Sequence, residues 1–121
     1  MSESAVNLAD KFSRFDDYWH PRIVGALNGQ QVKVAKLKGA FDWHHHIDED
    51  ELFLVMRGTL RMELRDQAVI IEPGEFYIVP RGVEHRPVAD EEVHVVLFEP
   101  ASTFHTGNVV TDKTRTTLEW I

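Results

Sequence analysis

From residue 22 onward the chain is a succession of short apolar segments broken at short, fairly regular intervals by turn-forming residues. The segments are "RIVGAL", "QVKVAKL", "AFDWHHH", "ELFLVMR", "TLRMELR", "AVIIE", "EFYIVP" and "VHVVLFEP". Between them lie Asn28-Gly29, Asp48–Asp50, Gly58, Asp66-Gln67, Pro73-Gly74, Arg81-Gly82 and Ala89–Glu91. Asn-Gly tolerates positive φ at both turn positions and is the strongest short hairpin signal. A parallel α/β arrangement needs helical crossovers of a dozen or more residues, and these intervals are too short to hold them. The rhythm therefore predicts an all-β sandwich or barrel.

Strands such as "VHVVLF" are apolar on nearly both faces, as expected where one side lines an enclosed interior and the other meets a second layer or subunit. Ahead of the β region, Leu8, Phe12 and Phe15 are spaced four and three residues apart, which predicts a short amphipathic helix capped near Asn7. The last segment, "ASTFHTGNVVTDKTRTTLEWI", is polar and Thr-rich until Trp120-Ile121. It is expected to wrap over the domain or a partner, because two large apolar residues at an unanchored end would stand in water.

With 121 residues the chain fits one domain. No apolar run approaches the roughly 18 residues that a membrane helix needs. Thirteen basic against twenty acidic residues give a formal charge of −7, which repels nucleic-acid backbones and anionic membranes. Cysteine is absent, excluding disulfides, thiolate metal sites and cysteine nucleophiles. "MSESAVNLAD" lacks the apolar core of a secretory signal, so a cytoplasmic protein is expected.

The chemistry concentrates in "FDWHHHIDEDELFLV". On a strand, His44 and His46 share a face while His45 points oppositely. Their backbones are then about 6.5 Å apart, a span two imidazoles can close onto one ion. Glu51 opens the next strand and can return a carboxylate toward the same point. "GEFYIVPRGVEH" brings His85 just beyond a Pro80–Gly82 turn as a fourth donor. His44, His46, Glu51 and His85 make a mixed nitrogen and oxygen set suited to one divalent ion per chain: Fe, Mn, Ni, Zn or Cu. Asp48, Glu49 and Asp50 read as a solvated turn, with replacement of Glu51 by one of them as the alternative.

These residues resemble the two motifs of the cupin superfamily. The first is matched by Gly39, His44-x-His46, Glu51 and Gly58, and the second by Gly74, Pro80, Gly82 and His85. Gly39 is one residue nearer His44 than the family pattern has it, and Ala89 stands where the second motif ends in asparagine. The likeness is to small bacterial cupins, mostly without assigned reactions. It implies a double-stranded β-helix (jelly-roll) barrel over residues 31–100. Residues 1–30 would add a helix and first hairpin strand packed on the barrel, and 101–121 the tail.

The resemblance also implies a metal-bound small-molecule ligand and a homodimer, whose pairing element could be the hairpin "RIVGAL…QVKVAKL". Cupins host too many chemistries for the fold to name one. A metal-dependent dioxygenase or isomerase, a non-catalytic metabolite- or metal-binding module and a metal-free barrel all remain open.

Around the quartet, Asp42 is either an acceptor orienting an imidazole or simply exposed. Arg61 and Arg81 are either anion clamps or surface residues. His94 reads as a core or interface residue, and His20 and His105 carry no assigned chemistry. Tyr77 can donate a proton, but nothing in the sequence requires it. No general acid or base beyond the metal donors is identifiable.

Overall fold

A computed structural model describes residues 4–114 and 117–121. Helix α1 (Leu8–Phe12) begins at Asn7, whose side-chain oxygen accepts from the Asp10 N–H at 2.9 Å. The strands are β1 (Arg22–Leu27), β2 (Gln30–Ala40), β3 (Glu51–Arg57), β4 (Leu60–Leu64), β5 (Ala68–Ile71), β6 (Phe76–Val79), β7 (His85–Pro100) and β8 (Glu119–Trp120). Asn28 and Gly29 turn the β1–β2 hairpin at φ of +50° and +77°.

Strand β7 organises the sheet. Antiparallel β2 runs along one side of it, while its other side pairs with β4 near His85 and with β3 near Phe98. β5 extends β4, and β6 extends β3. The turn expected at Ala89–Glu91 is instead an irregularity inside β7: Asp90, Glu91 and Glu92 lie between the pairs Leu37↔Val93 and Gly39↔Ala89. The resulting barrel has the jelly-roll form expected.

Inward residues Ala35, Leu37, Phe53, Val55, Leu60, Met62, Val93, Val95 and Leu97 form the main core. A second cluster covers the outer face, where Phe12 of α1 packs on Val24, Val34 and Val96, with Ile121 alongside. Both faces of β2 and β7 are thus covered, which is why these strands read as apolar on two sides.

The end of the chain folds back on its own domain. β8 pairs in parallel with β1 at Arg22↔Glu119 and Ile23↔Trp120, and the Ile121 carbonyl accepts from Lys11 Nζ at 2.7 Å. Trp120 nevertheless remains mostly exposed. β8 occupies part of the β1 edge that the sequence offered as a pairing element.

Candidate metal centre

The segment "AFDWHHH" does not form the strand its pattern suggests. β2 runs on to Ala40, and residues 41–50 are irregular apart from a single bridge between His44 and His85. Backbone hydrogen bonds fasten this segment to the start of β7 and to the turn before it. Phe41 N–H donates to Pro87 (3.0 Å), His44 and His85 exchange bonds of 3.1 and 2.9 Å, and Gly82 N–H donates to His46 (2.7 Å).

The C-terminal segment holds it from the other side, with Asn108 N–H bonded to the His45 carbonyl and Asn108 Oδ1 accepting from His45 N–H. Gly107 fits this crossing because it has no side chain. A Cβ there would lie 2.4 Å from the His45 carbonyl oxygen and 2.8 Å from His44 Cδ2, at a φ of +63°.

The four candidate donors converge despite the irregular backbone. One donor atom from each of His44, His46, Glu51 and His85 lies within 4.8 Å of every other, and all four residues are buried. Donors bonded to one ion at about 2.1 Å stand at most about 4.2 Å apart, so no pair needs to close by more than roughly 0.6 Å.

Two of the three imidazoles are pre-oriented. His44 Nδ1–H donates to the Asp42 carbonyl (2.8 Å) and His85 Nδ1–H to the Val83 carbonyl (2.9 Å), leaving each Nε2 with its lone pair. His46 Nε2, Glu51 Oε1 and His85 Nε2 have no hydrogen-bond partner although all are buried. The two ring nitrogens lie 3.2 and 3.5 Å from Glu51 Oε1 but are misaligned for hydrogen bonds. Buried polar atoms without partners are costly, and a cation at their shared focus would satisfy all three, so the residues present fit a divalent ion.

The remaining candidates stand outside this focus. It is the Asp42 backbone carbonyl that orients His44, while the Asp42 carboxylate is half exposed and 3.5 Å from Lys113 Nζ. Asp50 accepts from the Arg81 backbone and guanidinium, and Arg61 pairs with Glu63 and Asp90, so both arginines are engaged at the surface. His94 stacks on Phe12, and His20 bonds Asp17. Tyr77 packs against the main core.

Residues 31–101 match the family model of the cupin domain. The chain belongs to the cupin family. This cupin is 34% identical over 64 residues to YdbB, an uncharacterized protein of Bacillus subtilis (strain 168), over 52% of this chain and 57% of that protein. It thus spans little more than half the length of that curated relative.

Among solved structures it is similar to a cupin-2 domain containing protein from Shewanella frigidimarina NCIMB 400. Identity is 46% over 78% of this chain and 93% of that one, with a TM-score of 0.78. Protein NMB1881 from Neisseria meningitidis is 29% identical over 81% of this cupin and 100% of that chain, with a TM-score of 0.74.

Three polar residues of the cupin's interior were not legible as site residues. The β3–β7 register, Leu52↔Phe98 and Phe53↔Leu97, continues to set Glu51 opposite Glu99. Lys33 Nζ donates to Glu99 Oε1 at 2.8 Å, with both side chains essentially inaccessible. Burial raises both carboxyls. The neighbouring Glu99, His46 and His85 side chains outweigh burial at Glu51 and hold it well below the usual range, whereas burial and the Glu51 charge push Glu99 well above it.

The third is His105, buried in the C-terminal segment. It lines a cavity of about 30 Å³ together with His44, Glu51 and a largely apolar wall including Trp19, Phe41, Phe53 and Leu97.

Burial, reinforced by His85, lowers the His44 pKa from its ordinary 6.5 to about 4. The unfolded chain therefore takes up this proton first as pH falls. In the metal-free protein the His44 contribution is fully present above about 6.5 and is lost as pH drops through 4, for a total of about 3 kcal/mol. Denaturant unfolding with chelator at pH 7.5 and 5 checks this, and equal stabilities would show that His44 is not buried in its neutral form.

Proposed function

We propose that this cupin is a metal-dependent protein for a small molecule, with His44, His46, Glu51 and His85 holding one divalent ion inside the barrel. The supporting observation is the set of three buried donor atoms without partners, on His46, Glu51 and His85, beside His44 and His85 rings already fixed by backbone carbonyls. Bound there, an Fe, Mn, Ni, Zn or Cu ion would supply Lewis acidity, and a redox-active one oxygen chemistry, at an oxygen of the ligand. The chain itself contributes orientation and exclusion of water. Trp19, Phe41, Phe53 and Leu97 present an apolar wall beside the cluster, suited to the body of a small molecule whose polar end reaches the donors. Dioxygenase and isomerase reactions both fit this arrangement.

A second reading is favoured by the size of the cavity. About 30 Å³ holds one or two waters rather than a metabolite, which suits a module that binds metal or a very small ligand without turnover.

The test is elemental analysis of untagged protein purified without added metal, followed by melting with and without chelator. One ion per chain is expected, with a melting temperature that falls on chelation and recovers on re-addition. Absence of ion together with failure to restore it at neutral pH would remove the basis of both readings.

We also infer a homodimer. On the outer face, cross-strand register aligns Ile78, Leu52, Phe98 and Val32 in one row, and Phe76, Leu54, Val96 and Val34 in a second. Phe12 and Ile121 cover only part of these rows, leaving Phe76 60% and Ile78 47% exposed. A second copy seated on the β6 end would cover them. Sedimentation at micromolar concentration is expected to show a dimer that Phe76→Glu dissociates, and a monomeric native protein would overturn the inference.

A further inference from the structure

The histidines of the metal cluster and of the inner cavity are held in two opposite tautomers. His44 and His85 donate from Nδ1 and so offer Nε2 to the cluster. His105 is fixed the other way. Its Nε2 lies 2.7 Å from the Lys113 carbonyl, which can only accept, so Nε2 carries the hydrogen and the lone pair of the neutral ring is on Nδ1.

Among the described residues Nδ1 has no protein hydrogen-bond partner. The ring is 7% exposed and lines the inner cavity beside His44 and Glu51. It also lines an outer cavity of about 440 Å³, shared with Gln31, Lys33, Thr103 and Trp120. His105 therefore borders both spaces, and burial favours its neutral form. Lys33 and His20 act in the same direction as burial, and the Lys113 carbonyl and Glu51 oppose it.

We propose that His105 is the proton-accepting residue of the inner cavity, its Nδ1 taking the proton of an acidic O–H or C–H group on a small molecule seated beside His44 and Glu51. This rests on the metal-dependent reading above. In the step, the O–H or C–H bond breaks, its electron pair stays on the oxygen or carbon, and the proton forms a new bond to Nδ1. The ring becomes an imidazolium still tied to Lys113. The proton then returns to product or leaves through the outer cavity. The geometry answers a need the metal donors cannot meet, since their lone pairs are committed to the ion.

Two measurements on the full chain test it. The first needs no metal: ring-nitrogen NMR of histidine-labelled protein is expected to show His105 as the Nε2–H tautomer and His44 and His85 as the Nδ1–H tautomer. A His105 hydrogen on Nδ1 overturns the proposal.

The second uses zinc-loaded protein and hydrogen cyanide, a probe small enough for the cavity that enters as an acid and binds as an anion. Proton release on binding is read by calorimetry in buffers of different ionisation enthalpy. His105→Gln, which can still donate to the Lys113 carbonyl, is expected to keep its melting temperature and zinc but to release about one proton more per cyanide than the native protein. His105→Phe should behave alike. Equal release from native protein and the Gln variant overturns the proposal. If the native protein takes up no zinc, the metal-dependent reading fails by that result, while the tautomer measurement still decides the orientation of His105.

Discussion

Replacing His85 with alanine is expected to abolish stoichiometric metal binding and, with it, any response of the melting temperature to chelator. Four-ligand sites bind their ion with an apparent 10–16 kcal/mol in small metal-dependent domains, so one ligand is worth on the order of 3 kcal/mol, more than a hundredfold in affinity. His85 is the most informative of the four because it comes from β7, whereas His44, His46 and Glu51 lie within eight residues of one another in sequence. Competition titration against a chromophoric chelator gives the affinity. An affinity within tenfold of the native protein would mean that the ion, if bound, sits on other residues.

Lys33→Met is expected to be the most destabilising single change in the barrel outside the apolar core. Lys33 is the cation facing two adjacent buried carboxyls, Glu99 at 2.8 Å and Glu51 beyond it. Removing one partner of a buried pair costs about 3–5 kcal/mol, because the partner left behind stays desolvated without its counter-charge. Lys33→Met combined with Glu99→Leu should recover much of that loss, since apolar replacement of a whole buried pair is often neutral or better. Urea unfolding of the two single variants and the double variant measures the coupling directly. A cost below about 1 kcal/mol for Lys33→Met, in the range of a surface pair, would show that water reaches the ammonium.

Much of the fold could be read from residue pattern because local chemistry and global arrangement agree there. Asn28-Gly29 turns its hairpin, Asn7 caps α1 and the alternation of β3 sends Glu51, Phe53 and Val55 inward. The four candidate donors do meet, although alternation was the wrong ground for two of them. His44 and His46 are both buried because backbone bonds to His85, Gly82 and Asn108 hold an irregular segment, not because a strand alternates.

Lys33 escaped notice because "QVKVAKL" presents it between two valines. Normal patterning would send those valines in and the lysine out, but α1 covers the valine face and the lysine points inward to Glu99. His105 lies in a stretch with no periodicity, and only the fold-back of the chain end decides where its ring goes.

The long pairing of β2 with β7 also ties the metal centre to contacts between distant parts of the chain. Val34 and Val96 are partners across more than sixty residues, and His44 meets His85 within the loop that this pairing closes. Loops of this length are slow to close and give nothing back until both ends have docked. In the unfolded chain His44, His46 and Glu51 are close in sequence but His85 is far from them, so the fourth donor joins the other three only once that loop has closed. Metal choice then falls to the finished cavity and to whichever ion the surroundings supply at that moment, rather than to a template around which the chain assembles.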